Sequence, residues 1–386
     1  MKNVLLVGIE GVYNYGCESI VRGTTEILKK YDKDVKVSYA SYNYQDDVKR
    51  LSGCDVNVIE RKHCSRWSIR NIIRKLLSFV NIKYRIPFDD VSLFKNFDTV
   101  FSIGGDMYTL YSNGDYNKEL PAFLEKGKAQ GVKYVLWGAS VGKFEKNPRA
   151  LKFYKDHLRK IDALIVREEV TFEYLKSLGL DDTIYLAPDP AFFVPSEEYE
   201  KPINNRPLVG INLSPHSALY EYGNIEEGIK RQVRAIVGII EKMQCDILLL
   251  PHVYSRDVND DDRQYLLNIK KALPEKYRCN VSIIDTDPGF VGLRRYLSKC
   301  DYVIAARMHC AVNSVCTGVP TLFVSYSEKA KGMAKYIYGN DSALLSLADF
   351  ENTQLVVDKL NNIQMTESAL RDIRSFDFKN IFYKIS

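Results

Sequence analysis

Short apolar runs alternate along the chain with stretches whose apolar residues recur at helical spacing. In the first half, "NVLLVGI" (3–9), "TVFSIGG" (99–105), "KYVLWGASVG" (133–142), "ALIVREE" (163–169) and "TIYLAPD" (183–189) each run into a glycine or polar turn. Helical patterns occupy 17–30, 118–130, 148–160 and 169–178. This alternation predicts a parallel sheet with helices on both faces. Pro195, Pro202 and Pro207, set among charged residues, mark a linker. The alternation then restarts. "LVGINLS" (208–214), "CDILLLPHVY" (245–254), "NVSIIDT" (280–286), "DYVIAAR" (301–307) and "PTLFVSY" (320–326) read as strands, and helices are expected over 226–243, 261–272, 289–298 and 309–317. The expected α/β architecture is therefore two Rossmann-like doubly wound domains, 1–195 and 206–365, with a segment 366–386 that could pack back on the first. Ligands of such sheets bind beyond the carboxyl ends of the strands, which places the expected active site in the inter-domain cleft.

Composition narrows the class. The length of 386 residues and 46% hydrophobic content allow a sizeable core in each domain. Eight cysteines at 17, 54, 64, 245, 279, 300, 310 and 316 form no Cys-x-x-Cys pair, so they read as small core residues in a reducing compartment, with no metal site. "MKNVLLVGIEG" passes straight into a glycine loop, unlike a secretory leader, and no apolar run approaches a membrane span. A cytoplasmic protein is expected. The net charge of +5 does not argue for nucleic acid. Charge is concentrated, however, between Arg61 and Phe88, a stretch with eight Lys or Arg and no Asp or Glu. Ile69, Ile72, Ile73, Leu76, Leu77 and Val80 follow helical spacing there. A basic amphipathic helix over 61–85 either lies on the anionic inner face of the cell membrane or packs on the core with a solvated basic face.

Candidate chemistry sits where the strands end. Asn14 and Gly16 belong to "GIEGVYNYGCES", a turn before a helix whose amides suit an anion but whose spacing is not that of a dinucleotide fingerprint. Gly104 and Gly105 would let backbone approach a ligand, and Asp106 either orients a hydroxyl or cation or caps a helix. Ser140 ends the next strand. Arg167, before Glu168 and Glu169, either pairs with those acids or binds carboxylate or phosphate. His252 and His216 each follow a proline at a strand end, while His63 and His157 read as surface residues. "VNDDDRQ" (258–264) reads as a helix start capped by Asn259 rather than a metal site. Arg307 and His309 interrupt apolar sequence on both sides; burying that arginine costs several kcal/mol unless it meets an anion. The pair joins a fixed cation to a titratable imidazole, which suits a phosphate or carboxylate with a proton donor beside it.

"NYGCES", "IGGD", "GASVGKF", "VREEVTFEYLKSLG", "APDPAF", "LLLPH" and "ARMHCAVNSVCTGVPTLFVSYSEKAKGM" together resemble the polysaccharide pyruvyl transferases, in that family's order and across nearly the whole chain. The resemblance implies a glycosyltransferase-B-like fold. It also implies transfer of pyruvate from phosphoenolpyruvate, the donor substrate with no further cofactor, onto a lipid-linked sugar such as galactose as a cyclic ketal, in surface or capsular polysaccharide synthesis. Arg307 and His309 match the family's Arg-Leu-His donor site, Arg167 its first-domain arginine, and Lys329 the lysine of its Tyr-Asp-Pro-Lys segment. Met308 replaces the usual leucine, and Ser327 and Glu328 replace Asp-Pro. His309 either protonates the donor or neutralises the departing phosphate. Two rival readings stay open: a nucleotide-sugar glycosyltransferase of the same fold, and a two-domain ligand-binding protein without catalysis.

Overall fold

A computed structural model of the chain describes residues 1–61, 72–73, 75–77, 91–105, 107–111, 113–197, 199–201, 203, 205–325, 328–364 and 367–385. Among the described residues it forms two parallel sheets, each the core of its own unit.

The first sheet is built from β1 (Asn3–Val7), β2 (Lys36–Ser41), β3 (Asn57–Glu60), β4 (Thr99–Ile103), β5 (Lys133–Ala139), β6 (Ala163–Val166) and β7 (Ile184–Leu186), in the order β3-β2-β1-β4-β5-β6-β7. The second is built from β8 (Leu208–Asn212), β9 (Asp246–Leu249), β10 (Val281–Ile283), β11 (Tyr302–Ala305), β12 (Thr321–Ser325) and β13 (Leu344–Ser346), in the order β10-β9-β8-β11-β12-β13. Central strands are covered on both faces, which is why they read as unbroken apolar runs: Val4, Leu5, Leu6 and Val7 are all fully buried. Both sheets reverse strand order beside their first strand, with β1 between β2 and β4 and β8 between β9 and β11. Such switch points leave a crevice at the carboxyl edge of the sheet.

Helices begin where sequence chemistry allows. Asn147 accepts hydrogen bonds from the Arg149 and Ala150 amides and places Pro148 in the first turn of the helix Pro148–Leu158. Asn224 does the same for Ile225–Met243 through the Glu226 and Glu227 amides. Asp261, not Asn259, caps Asp262–Ala272 by accepting from the Gln264 amide. Three strands were not expected from the sequence. β2 mixes Ser38 and Ser41 into its apolar positions, β3 is a short and only half-buried edge, and β13 has three residues.

The first unit comprises Met1–Gly11, Thr24–Asp189 and Asp377–Ser386, and the second Val12–Gly23 and Pro190–Phe376. This division departs from the expected boundaries at both ends. The segment after β1 joins the second unit because its backbone is bonded there: Tyr15 N donates to the His252 carbonyl (3.1 Å) and Tyr254 N to the Tyr13 carbonyl (3.2 Å). The 3-10 turn Pro190–Phe193 also belongs to the second unit, where Ala191, Phe192 and Val194 enter its core. Of the tail, Leu370 and Ile373 lie in the second core, whereas Phe378 and Phe382 pack on Trp137 of the first (ring centroids 5.5 and 5.7 Å). Most of the expected basic helix over 61–85 lies outside the described residues. No helix among the described residues is long and apolar enough to cross a membrane.

Candidate active site

In the second unit, the apolar strand β11 delivers Arg307 two residues past its end. The Arg307 amide donates to Asn212 Oδ1 (2.8 Å), tying the loop to the end of β8 at the switch point. Its guanidinium meets an anion inside the fold. Nε and Nη2 donate to Asp262 Oδ1 (3.1 and 2.9 Å), and Nη2 also reaches Asp260 Oδ1 (2.7 Å). Asp262 is fully buried, and its other oxygen accepts from Asn212 Nδ2 (3.3 Å) and the His252 amide (3.2 Å). Burial pushes the Asp262 carboxyl up, with Arg307 as the main opposing influence. The acids of "VNDDDRQ" therefore serve chiefly as counter-charges to Arg307, a role that a helix-start reading missed.

His309 stands half-buried in the first turn of Met308–Val315. A Cβ on Gly16 would lie 2.6 Å from its Nδ1 and 3.1 Å from Asn14 Oδ1, so only glycine lets the imidazole and Asn14 come this close. Asn14 Oδ1 in turn accepts from the Gly16 amide (2.9 Å). Asn14, Gly16 and His309, distant in sequence, thus share one place.

His252 completes the group. It is 1% exposed, and its Nε2 is enclosed without a hydrogen-bond partner. Its ring lies edge-on to Tyr15 at 5.3 Å. Burial, then the nearby His309 and Arg307, holds its pKa well below the usual histidine range, so it is neutral at pH 7. His216, the other Pro-His residue, is exposed.

Two residues unnoticed in the sequence lock the Asn14–Gly16 turn in place. Tyr15 Oη donates to Asp287 Oδ1 (2.5 Å) and accepts from the Gly289 amide (3.0 Å), and Glu18 Oε2 accepts from the Phe290 amide (2.9 Å). A buried carboxylate of this chain thus occupies the amino end of the helix Gly289–Leu297. Nothing local signalled this role, since an acid in the first turn of its own helix is ordinary, and only its 1% exposure sets Glu18 apart.

In the first unit the expected residues gather at the ends of β4, β5 and β6. Arg167 is 2% exposed and pairs with neither Glu168 nor Glu169. Its Nη1 donates to Asp189 Oδ2 (2.7 Å), itself fully buried, and Nε and Nη2 donate to Ser140 Oγ (3.2 and 3.1 Å). Asp189 is the aspartate of "APDPAF". A Cβ on Gly105 would lie 2.6 Å from Arg167 Nη2, so that glycine admits the guanidinium. Gly104 has φ +119° and rests on Ile9. Ser140, Gly105 and Arg167 are therefore brought together in one cluster. Asp106 lies outside the described residues, and Lys329 falls in the helix Glu328–Tyr338 with its side chain outside them. His157 is buried rather than on the surface: its Nδ1 pairs with Glu125 (2.8 Å) and its Nε2 with Tyr134 (3.3 Å).

Two parallel Rossmann-like sheets with polar loops at their carboxyl edges define a class of two-domain α/β protein. Solved structures of the same fold include Anabaena HepE in complex with UDP and glucose (TM-score 0.60, 10% identity, covering 100% of this chain and 98% of that one). The UDP-GlcNAc 2-epimerase of Neisseria meningitidis bound to UDP-GlcNAc is another (TM-score 0.58, 14% identity, 97% and 98%). These likenesses show the fold, that of the glycosyltransferase-B type. The model of the polysaccharide pyruvyl transferase family matches residues 14–328, and the chain belongs to that family. The amylovoran biosynthesis protein AmsJ of Erwinia amylovora is 22% identical over 366 residues, 86% of each chain. The match begins at Asn14 and ends one residue short of Lys329.

Proposed function

We propose that this pyruvyltransferase of polysaccharide synthesis takes pyruvate from phosphoenolpyruvate and fixes it as a cyclic ketal on two hydroxyls of a lipid-linked hexose such as galactose. The observation that carries this reading is the grouping of Arg307, His309, Asn14 and neutral His252 at the carboxyl edge of the second sheet. Phosphoenolpyruvate presents a carboxylate and a phosphate. Arg307, held by Asp262 and Asp260 yet 13% exposed, offers an oriented cation.

The proton count closes with one imidazole as carrier. His309 gives a proton to C3 of the donor and recovers one from the first sugar hydroxyl as that oxygen bonds to C2. The second hydroxyl then bonds to C2, the bond from C2 to the phosphate oxygen breaks, and the second hydroxyl's proton leaves with phosphate. Both hydroxyl protons are thereby accounted for. His252, held neutral by burial, adds no charge beside His309. Arg167, which the family motif assigns to the donor, is held by Asp189 and Ser140 beside Gly105. Lys329 is assigned to substrate binding by the family motif, and Asp106 by its place after Gly104 and Gly105. The basic stretch 61–85 suits an anionic membrane surface, where a lipid-linked acceptor would be presented.

Phosphate release from phosphoenolpyruvate, measured against free and lipid-linked sugars, tests the reading. Acceptor-dependent release that is lost in His309→Ala is expected; no release with any sugar contradicts it. The second reading, a nucleotide-sugar enzyme, draws on the fold neighbours that carry UDP or UDP-GlcNAc. Against it stands Glu18, which, paired with Arg22 (2.8 Å), already occupies the amino end of Gly289–Leu297 with a carboxylate of this chain. Thermal shift with UDP-sugars against phosphoenolpyruvate separates the two.

A further inference from the structure

Glu168 follows Arg167 at the end of β6, yet it takes neither of the roles nearest to hand. It does not balance Arg167, because Asp189 does. It occupies the cap position of the helix Glu169–Ser177 with extended backbone (φ −143°, ψ 143°), but its side chain caps no amide. One oxygen is held: Oε1 accepts from Thr171 Oγ1 (2.8 Å), and Thr171 Oγ1 accepts from the Val141 amide (3.3 Å). The other, Oε2, is enclosed and has no hydrogen-bond partner, in a residue 6% exposed. A buried, fixed carboxylate oxygen left unsatisfied is costly, and folded proteins retain such a group where a water, an ion or a ligand satisfies it or where it has a catalytic role.

The chemistry of the missing partner is constrained. A carboxylate only accepts, so the partner must donate. An anion such as phosphoenolpyruvate would be repelled by Glu168, and Arg167 beside it is already balanced by Asp189, so the partner falls among the neutral donors of the proposed transfer. A sugar hydroxyl is such a donor. We infer that Glu168 is a binding residue for the sugar acceptor, its Oε2 accepting a hydrogen bond from a pyranose hydroxyl. This assignment rests on the pyruvyl-transfer reading.

The test uses full-length wild type, Glu168→Gln, Glu168→Ala and Thr171→Val, each checked for a native melt, in the phosphate-release assay with both substrates varied. Glu168→Ala should raise the KM for the sugar about 10-fold or more with the KM for phosphoenolpyruvate unchanged. Glu168→Gln, which keeps the Thr171 bond, and Thr171→Val, which keeps the carboxylate, should give smaller rises in the same constant. Unchanged sugar KM in an active Glu168→Ala enzyme, or equal rises for both substrates, would overturn the assignment while leaving the transfer reading intact. A wild type that releases no phosphate with any sugar overturns the reading and the assignment with it.

Discussion

Replacing Arg307 by alanine removes a cation from beside a fully buried carboxylate, so two effects must be separated. Asp262 would be left uncompensated, and breaking such a pair costs about 3–5 kcal/mol. Urea unfolding of Arg307→Ala is therefore expected to show a large stability loss together with lost turnover. His309→Ala removes a half-buried ring and should cost about 1 kcal/mol or less while lowering turnover by about 10²–10⁴. His252 adds a pH effect of known sign. Its folded-state pKa is depressed, so the unfolded chain binds the extra proton; stability is full above the ordinary histidine pKa and falls as pH drops through the window below it. Buried His157 acts in the same direction. His252→Asn should flatten the acid-side slope by up to about 1.4 kcal/mol per pH unit, measured by urea titration at several pH values. Arg307 stood out in the sequence because a charge between apolar runs demands a partner. That its partner is Asp262 was hidden, because the same aspartate is also what a helix start requires.

Elements meet at glycines that local pattern cannot interpret. Gly23 lies inside the helix Tyr15–Tyr31, where alanine would gain about 1 kcal/mol of propensity. A Cβ there would lie 1.8 Å from the Pro190 carbonyl oxygen, a backbone atom, so overpacking wins: Gly23→Ala should lose about 1–3 kcal/mol, read from its denaturation midpoint. Gly105→Ala meets a guanidinium fixed by Asp189 and Ser140, and a loss of similar size is expected from the same measurement. Strands buried on both faces, such as β1, β4 and β11, were legible as apolar runs. β2 was not, because Ser38, Tyr39 and Ser41 are buried polar residues, with Ser41 and Tyr39 satisfied by the buried Asp47. Asn14 was legible as a turn residue, but its place beside His309 depends on contacts some 300 residues apart, which no local signal carries.

At the scale of the molecule, the restart of strand–helix alternation after Pro207 reported two sheets correctly. The crossing of Val12–Gly23 into the second unit did not show, because that segment continues directly from β1. Vesicle flotation with and without anionic lipid addresses the basic stretch 61–85: lipid-dependent flotation, weakened by salt, is expected, and equal recovery without anionic lipid counts against it. The central claim concerns the donor and the Arg307–His309 group. Its most direct test is acceptor-dependent phosphate release from phosphoenolpyruvate by wild type and by a natively folded His309→Ala enzyme. The account predicts release with a lipid-linked hexose and a loss of about 10²-fold or more in the variant; no release by wild type, or full turnover without His309, would contradict it.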